Sequence, residues 1–166
     1  FAVILSAFAN PDNADYFMRV KMDISGIGMP PNDGASTFGS AGKLRGTMQL
    51  FSIDKYNNTN SFGDLLHEMG HYWLVGVNNS ADDESLWIQR DGTSGHWSHF
   101  LNTSTVENGV TYVSPIGGYP WKDNGNGTFT IDYSAFNKQQ WFKFSDLDLY
   151  LMGLLPAAKV TPTFLV

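Results

Sequence analysis

Hydrophobic and polar positions alternate at the start of the chain as they do in β-structure. Phe1-Ala2-Val3-Ile4-Leu5 opens an apolar run that continues to Ala9 with one break at Ser6, the pattern of a buried strand. Met18-Arg19-Val20-Lys21-Met22-Asp23-Ile24 alternates apolar and charged side chains with a period of two, which predicts a half-buried strand. Gly26, Gly28, Pro30, Pro31, Asp33 and Gly34 punctuate a long loop. Leu44 to Ile53, entered through Gly39-Ser40-Ala41-Gly42, is the next predicted strand; its polar residues fall on one face, which suits a sheet edge.

From Asn60 the period changes. Phe62, Leu65, Leu66, Met69 and Trp73 recur at helical spacing, Ser61 and Asp64 resemble a capping box, and Gly76 with Asn78 makes a stop. The stretch from Asn78 to Gly95 is polar and irregular. Val110-Thr111-Tyr112-Val113 and Thr128 to Tyr133 read as short strands around the turn-rich Asp123-Asn124-Gly125-Asn126-Gly127. A second helix is predicted from Ser145 to Leu154, ended by Gly153 and Pro156. Strands and helices mixed without a repeat point to an α+β fold.

Composition narrows the chemistry. At 166 residues the chain suits one domain, spanning 1–166, and its apolar ends read as those of a domain cut from a longer protein. Aromatics at 14% and charged residues at only 16% exclude a disordered chain. The net charge of −6 argues against nucleic acid as a partner, and no apolar run approaches the roughly 18–20 residues of a membrane span. Cysteine is absent, which excludes disulfides, thiolate metal sites and cysteine nucleophiles together. Any catalysis must use histidine, carboxylates, hydroxyls, or a metal held by nitrogen and oxygen.

Those residue types converge in Leu65-Leu66-His67-Glu68-Met69-Gly70-His71-Tyr72-Trp73, a His-Glu-x-x-His motif on the segment with helical period. Residues four apart on a helix differ by about 40° in direction, so both imidazoles can reach one ion while the apolar stripe faces away from them. Glu68 projects to the side of that pair. All four histidines lie between His67 and His99. Zinc (Zn2+) on two histidines needs a third protein ligand and an open position. His96, beyond a loop long enough to fold back, is the first candidate; Asp148 on the second helix is the alternative, and His99 a third.

On the motif His67-Glu68-Met69-Gly70-His71 the chain resembles the zincin superfamily of zinc metallopeptidases. Gly39 to Leu44, Gly95-His96-Trp97-Ser98, Asn126 to Thr130 and Leu147 to Leu154 extend the likeness to a group of poorly characterised, secreted bacterial zincin-like proteins, from about residue 16 onward. Leu74 and Val77 stand where metzincins carry a glycine and a third histidine, so that ligand arrangement is excluded. In the secreted group the His-Trp pair recurs whereas the position of His99 is usually apolar, which favours His96. The resemblance implies a mixed twisted sheet packed on the active-site helix, a loop-rich C-terminal part with a second helix, and an extracytoplasmic location. It also implies a peptide or protein substrate bound extended along an edge strand, the role that Leu44 to Ile53 would fill. Met152 before Gly153 is similar to the methionine beneath the metal of metzincins.

The expected activity is a zinc-dependent endopeptidase, in which a metal-activated water attacks the peptide bond with Glu68 as general base. Tyr150, in the Asp148 to Met152 block, is the preferred donor to the oxyanion, ahead of Tyr72 and His99. The contrasting expectations are a non-catalytic extracellular binding or adhesion module that keeps the zincin fold, and a metal-dependent hydrolase of other substrates. Calcium (Ca2+) is a second cation to consider at Asp123 to Gly127, although a β-turn explains that stretch as well. Asp82-Asp83-Glu84 reads as a solvated loop. Asn57, Asn78, Asn102 and Asn126 begin glycosylation triplets, and the five tryptophans suit core packing better than a sugar-binding surface.

Overall fold

In the computed structural model, which describes residues 1–8, 15–24, 31–53, 62–74, 95–137 and 142–166, the first apolar run forms strand β1 (Ala2–Ser6). The alternating stretch forms β2 (Tyr16–Arg19) and β3 (Lys21–Met22). It divides there because Val20 N and Lys21 N both donate to the carbonyl of Arg45, at 3.0 and 3.1 Å, which breaks the ladder between them. β4 (Asn32–Asp33) pairs with β3, and β5 (Gly46–Ser52) lies within the strand predicted at 44–53. These elements and the following helix, α1 (Phe62–Gly70), belong to the first of two compact units, Phe1–Tyr72 and Trp73–Val166.

The order β1-β5-β2 makes a mixed sheet: β1 runs parallel to β5 and β2 antiparallel to it. Two expectations are corrected here. β5 is the central strand, not an edge. Its polar side chains are used across the ladder, where Tyr16 donates its hydroxyl to the directly opposed Gln49 at 2.6 Å. β1, expected to be buried, is an outer strand, and Ile4 remains 51% exposed. The apolar weight of the sheet falls instead on Met48 and Leu50, both buried, and α1 lies against β5 and β2.

Phe1, Phe17 and Tyr72 stack edge to face with centroids 5.1–6.2 Å apart, tying the sheet to the residue two beyond α1. Gly46 makes room for this, because a Cβ there would come within 2.3 Å of the Phe17 ring. The expected N-cap Ser61, the loop residues Gly26, Gly28 and Pro30, and the stop at Gly76 and Asn78 lie outside the described residues. So do Asn57, Asp82-Asp83-Glu84, Trp87 and Trp141.

The second unit is built from short pairs: β6 (Trp97–Asn102) parallel to β9 (Gly117–Tyr119), β7 (Thr105–Glu107) with β8 (Val110–Tyr112), and β10 (Trp121–Asp123) with β11 (Phe129–Ile131). The predicted strands at 110–113 and 128–133 therefore exist in large part as β8 and β11, each with a partner the pattern did not reveal. Helix α2 (Asp146–Leu151) packs Leu147 and Leu151 against a core of Leu74, Trp97, Leu101 and Ile116. With sheets of two or three strands and two α-helices among the described residues, the fold class is α+β. No helix there is long and apolar enough to cross a membrane.

Both ends of α2 obey local rules. Ser145 is the N-cap, and Asp148 completes a capping box by accepting from Ser145 N at 2.7 Å. At the other end Leu154 N bonds to Leu149 O and Gly153 N to Tyr150 O, a Schellman motif in which Gly153 takes φ +75°. Asp148 is fully buried, and its second oxygen accepts the Trp97 indole N–H at 2.7 Å. Truncation at Asp148 removes the reciprocal cap and strands a buried N–H. Asp148→Ala is expected to cost about 2–4 kcal/mol in urea unfolding, and Asp148→Asn less. A change under about 0.5 kcal/mol for the alanine variant would show that these bonds do not hold the helix.

Candidate metal centre

Helix α1 ends one residue before His71. Gly70 is a poor helix former, and the chain tightens there, with Tyr72 N donating to Met69 O at 3.2 Å. The tightened turn still carries His71 round to the side of His67. Their Nε2 atoms stand 3.2 Å apart, with ring centroids at 4.8 Å and planes nearly perpendicular. Two nitrogens bound to one tetrahedral zinc at 2.0–2.1 Å would be about 3.3 Å apart, so the pair suits a shared ion. An N–H···N hydrogen bond has a similar length, and the difference lies in whether one ring keeps its Nε2 proton.

Glu68 departs from the sequence expectation. The most buried positions of α1 are Gly63, Glu68 and Gly70, whereas Phe62 at the start of the apolar stripe is 61% exposed. Glycines at 63 and 70 share a face and admit close approach there, while Glu68, about 150° round the helix from them, is buried on another side. The Glu68 carboxyl is almost fully enclosed: Oε1 stands 3.9 Å from His67 Nε2, and Oε2 has no hydrogen-bond partner among the described residues. Burial raises its pKa to about 7, and the carboxylates of Asp15 and Asp64 push in the same direction. No pattern of spacing marks Asp15 as a neighbour, because it comes from the segment before β2.

The other expected residues belong to the second unit. His96 is half-buried and directly precedes β6, where Trp97 N donates to Ile116 O at 3.1 Å. His99 is exposed on β6 with its ring edge-on to Tyr119. Asp148, the alternative ligand, is committed elsewhere. Its oxygens accept from Trp97, Ser145 and Ser114, and burial is the chief reason its pKa is raised. Tyr150 projects from α2 half in solvent, and Met152 is the C-cap, packed against the Trp97 core. In the first unit, the Tyr72 hydroxyl already donates to the carbonyl of Lys21 at 3.1 Å.

At Asp123 to Gly127 the side-chain oxygens are occupied locally: Asp123 accepts from Gly125 N, and Asn126 from Thr128 N and Oγ1. The stretch lies in the loop joining β10 to β11, closed by Asn124 N donating to Thr128 O at 3.1 Å. Trp97 is core, and Trp121 donates its indole N–H to the His99 carbonyl. A cavity of about 370 Å3 in the second unit, walled by residues 102–106, 145–147 and 161–163, contains none of the expected site residues. No family model, no curated protein and no solved structure matches the chain.

The buried carboxyl carries a pH signature. Its folded pKa of about 7 lies above the ordinary 4.5, so the folded chain holds the extra proton between those values and stability falls as pH rises through that window. In protein stripped of divalent cations, Glu68→Gln is expected to raise the unfolding midpoint above pH 7 and to leave it unchanged below pH 4. Equal midpoints at pH 8 would show that the carboxyl is hydrated in the folded state.

Proposed function

We propose that the chain is a zinc-dependent endopeptidase with a zincin-like fold, acting outside the cytoplasm. The observation that carries this reading is the pair of Nε2 atoms at 3.2 Å with an enclosed carboxyl beside them. The donor set suits the ion: two imidazoles present nitrogen within one turn, and thiolates play no part. His67 and His71 would hold the zinc, and His96 is the third ligand we assign. The capping and indole bonds of Asp148 support this assignment, since they leave its oxygens committed.

Zinc, when bound, supplies a Lewis acid that polarises a carbonyl and acidifies water. Glu68 receives the proton of the attacking water at a carboxylate oxygen and returns it to the leaving amine. A carboxyl with pKa near 7 is matched to that exchange at neutral pH. Its enclosure keeps bulk water from competing for the proton. Tyr150 is the assigned donor to the oxyanion, and the commitment of the Tyr72 hydroxyl to Lys21 favours that choice. With β5 central, an extended peptide substrate would pair with an outer strand, β1 or β2.

Metal analysis and cleavage of an unfolded protein substrate test the reading together. One zinc per chain is expected, lost on His67→Ala, His71→Ala or His96→Ala and kept by Glu68→Gln. Peptide cleavage should fall by about 10²–10⁴ in Glu68→Gln. Zinc without cleavage would make the chain a binding module, and an absence of bound zinc would overturn both.

A further inference from the structure

The second histidine of the pair lies past the end of α1, in a turn that the helix does not stabilise. The last carbonyls of a helix lack intrahelical donors, and the helix dipole makes that end negative. His71 is held there from outside. Arg19, the last residue of β2, reaches across 52 positions of sequence and donates Nη2–H to the His71 carbonyl oxygen at 2.7 Å. The guanidinium is half-buried, so water competes less for this contact than it would at an exposed site. Next along the chain, Tyr72 is fastened by its hydroxyl to Lys21 O and by its ring to Phe1 and Phe17. Both anchors start from neighbouring stretches of the β2–β3 region. His67, by contrast, sits within α1 and has the helix to orient it.

We propose that Arg19 is the positioning residue for the metal pair: by holding the His71 carbonyl it fixes the backbone from which that imidazole turns toward His67. This rests on the reading of His67 and His71 as metal ligands. A planar fork carrying charge is suited to the task, because it can hold a carbonyl firmly while its stem lies along the sheet. Lysine at the same place would keep a single charged donor.

Cobalt titration, followed by its visible absorption bands, is the first readout. Arg19→Met should bind Co2+ about ten-fold more weakly than the native chain and with altered bands, and Arg19→Lys should recover most of the affinity. The second readout needs no metal. In chelator-treated protein, the ring resonances of His71 should broaden or shift in Arg19→Met, and those of His67 should respond only as far as the neighbouring ring's displacement changes their ring-current shift. Arg19→Gln, which keeps an N–H donor without charge, replaces the methionine variant if that variant fails to fold, and a smaller loss is expected. Native cobalt affinity and native His71 resonances in both Arg19→Met and Arg19→Gln would overturn the proposal. A native chain that takes up no cobalt would instead overturn the reading of the pair as ligands, and the resonance comparison would still decide the role of Arg19.

Discussion

A single short helix and the turn that follows it have to do two opposed things. They must enclose a carboxyl, which favours the proton-bearing form, and beside it they must present two imidazoles to a common point. Both follow from positions 67, 68 and 71, and they are achieved without a long helix. Glycines at 63 and 70 allow close packing on one face, and the chain beyond Gly70 continues as a tightened turn. The rest of the first unit serves that arrangement. β5 and β2 provide the floor, and contacts from β2 and the aromatic trio fasten the two residues after the helix.

The spacing of the histidines was legible because it is local: four residues at helical period specify a shared side, and the turn after Gly70 keeps that side although α1 has ended. The same holds for α2, whose Ser-x-x-Asp start and glycine stop could be read directly, and whose ends form by bonds spanning no more than five residues. Sequence could not say which of two functions Asp148 serves, since a capping carboxylate and a ligand look alike until its bond to Trp97 is seen. Burial of Glu68 was hidden for a related reason. A charged residue reads as exposed, and the segment before β2 that brings Asp15 toward it leaves no mark in the helical period.

Strand pairing was the least legible. A polar face at 44–53 reads as a solvent edge, but the polarity there includes a hydrogen-bonded rung with Tyr16. The opening apolar run reads as a buried strand, because hydrophobicity alone does not tell an outer strand from an inner one. Several strands of two or three residues are too short to show a period at all. Arg19 carried no signal beyond its place in an alternating stretch, because a contact 52 residues away leaves no trace in local pattern.

The parallel pairing of β1 with β5 has a consequence for how the molecule is made. Ala2 must find Thr47, and among the described residues no nearer strand pairs with β1. At ribosomal speeds of about 5–20 residues per second, the interval between their emergence is roughly two to nine seconds. Through that delay Val3, Ile4 and Leu5 wait as an unmatched oily ribbon, and even afterwards no strand among the described residues covers its other flank. The interval between the synthesis of β1 and that of β5, and not the finished fold, is therefore the period in which this strand is most exposed to misassociation.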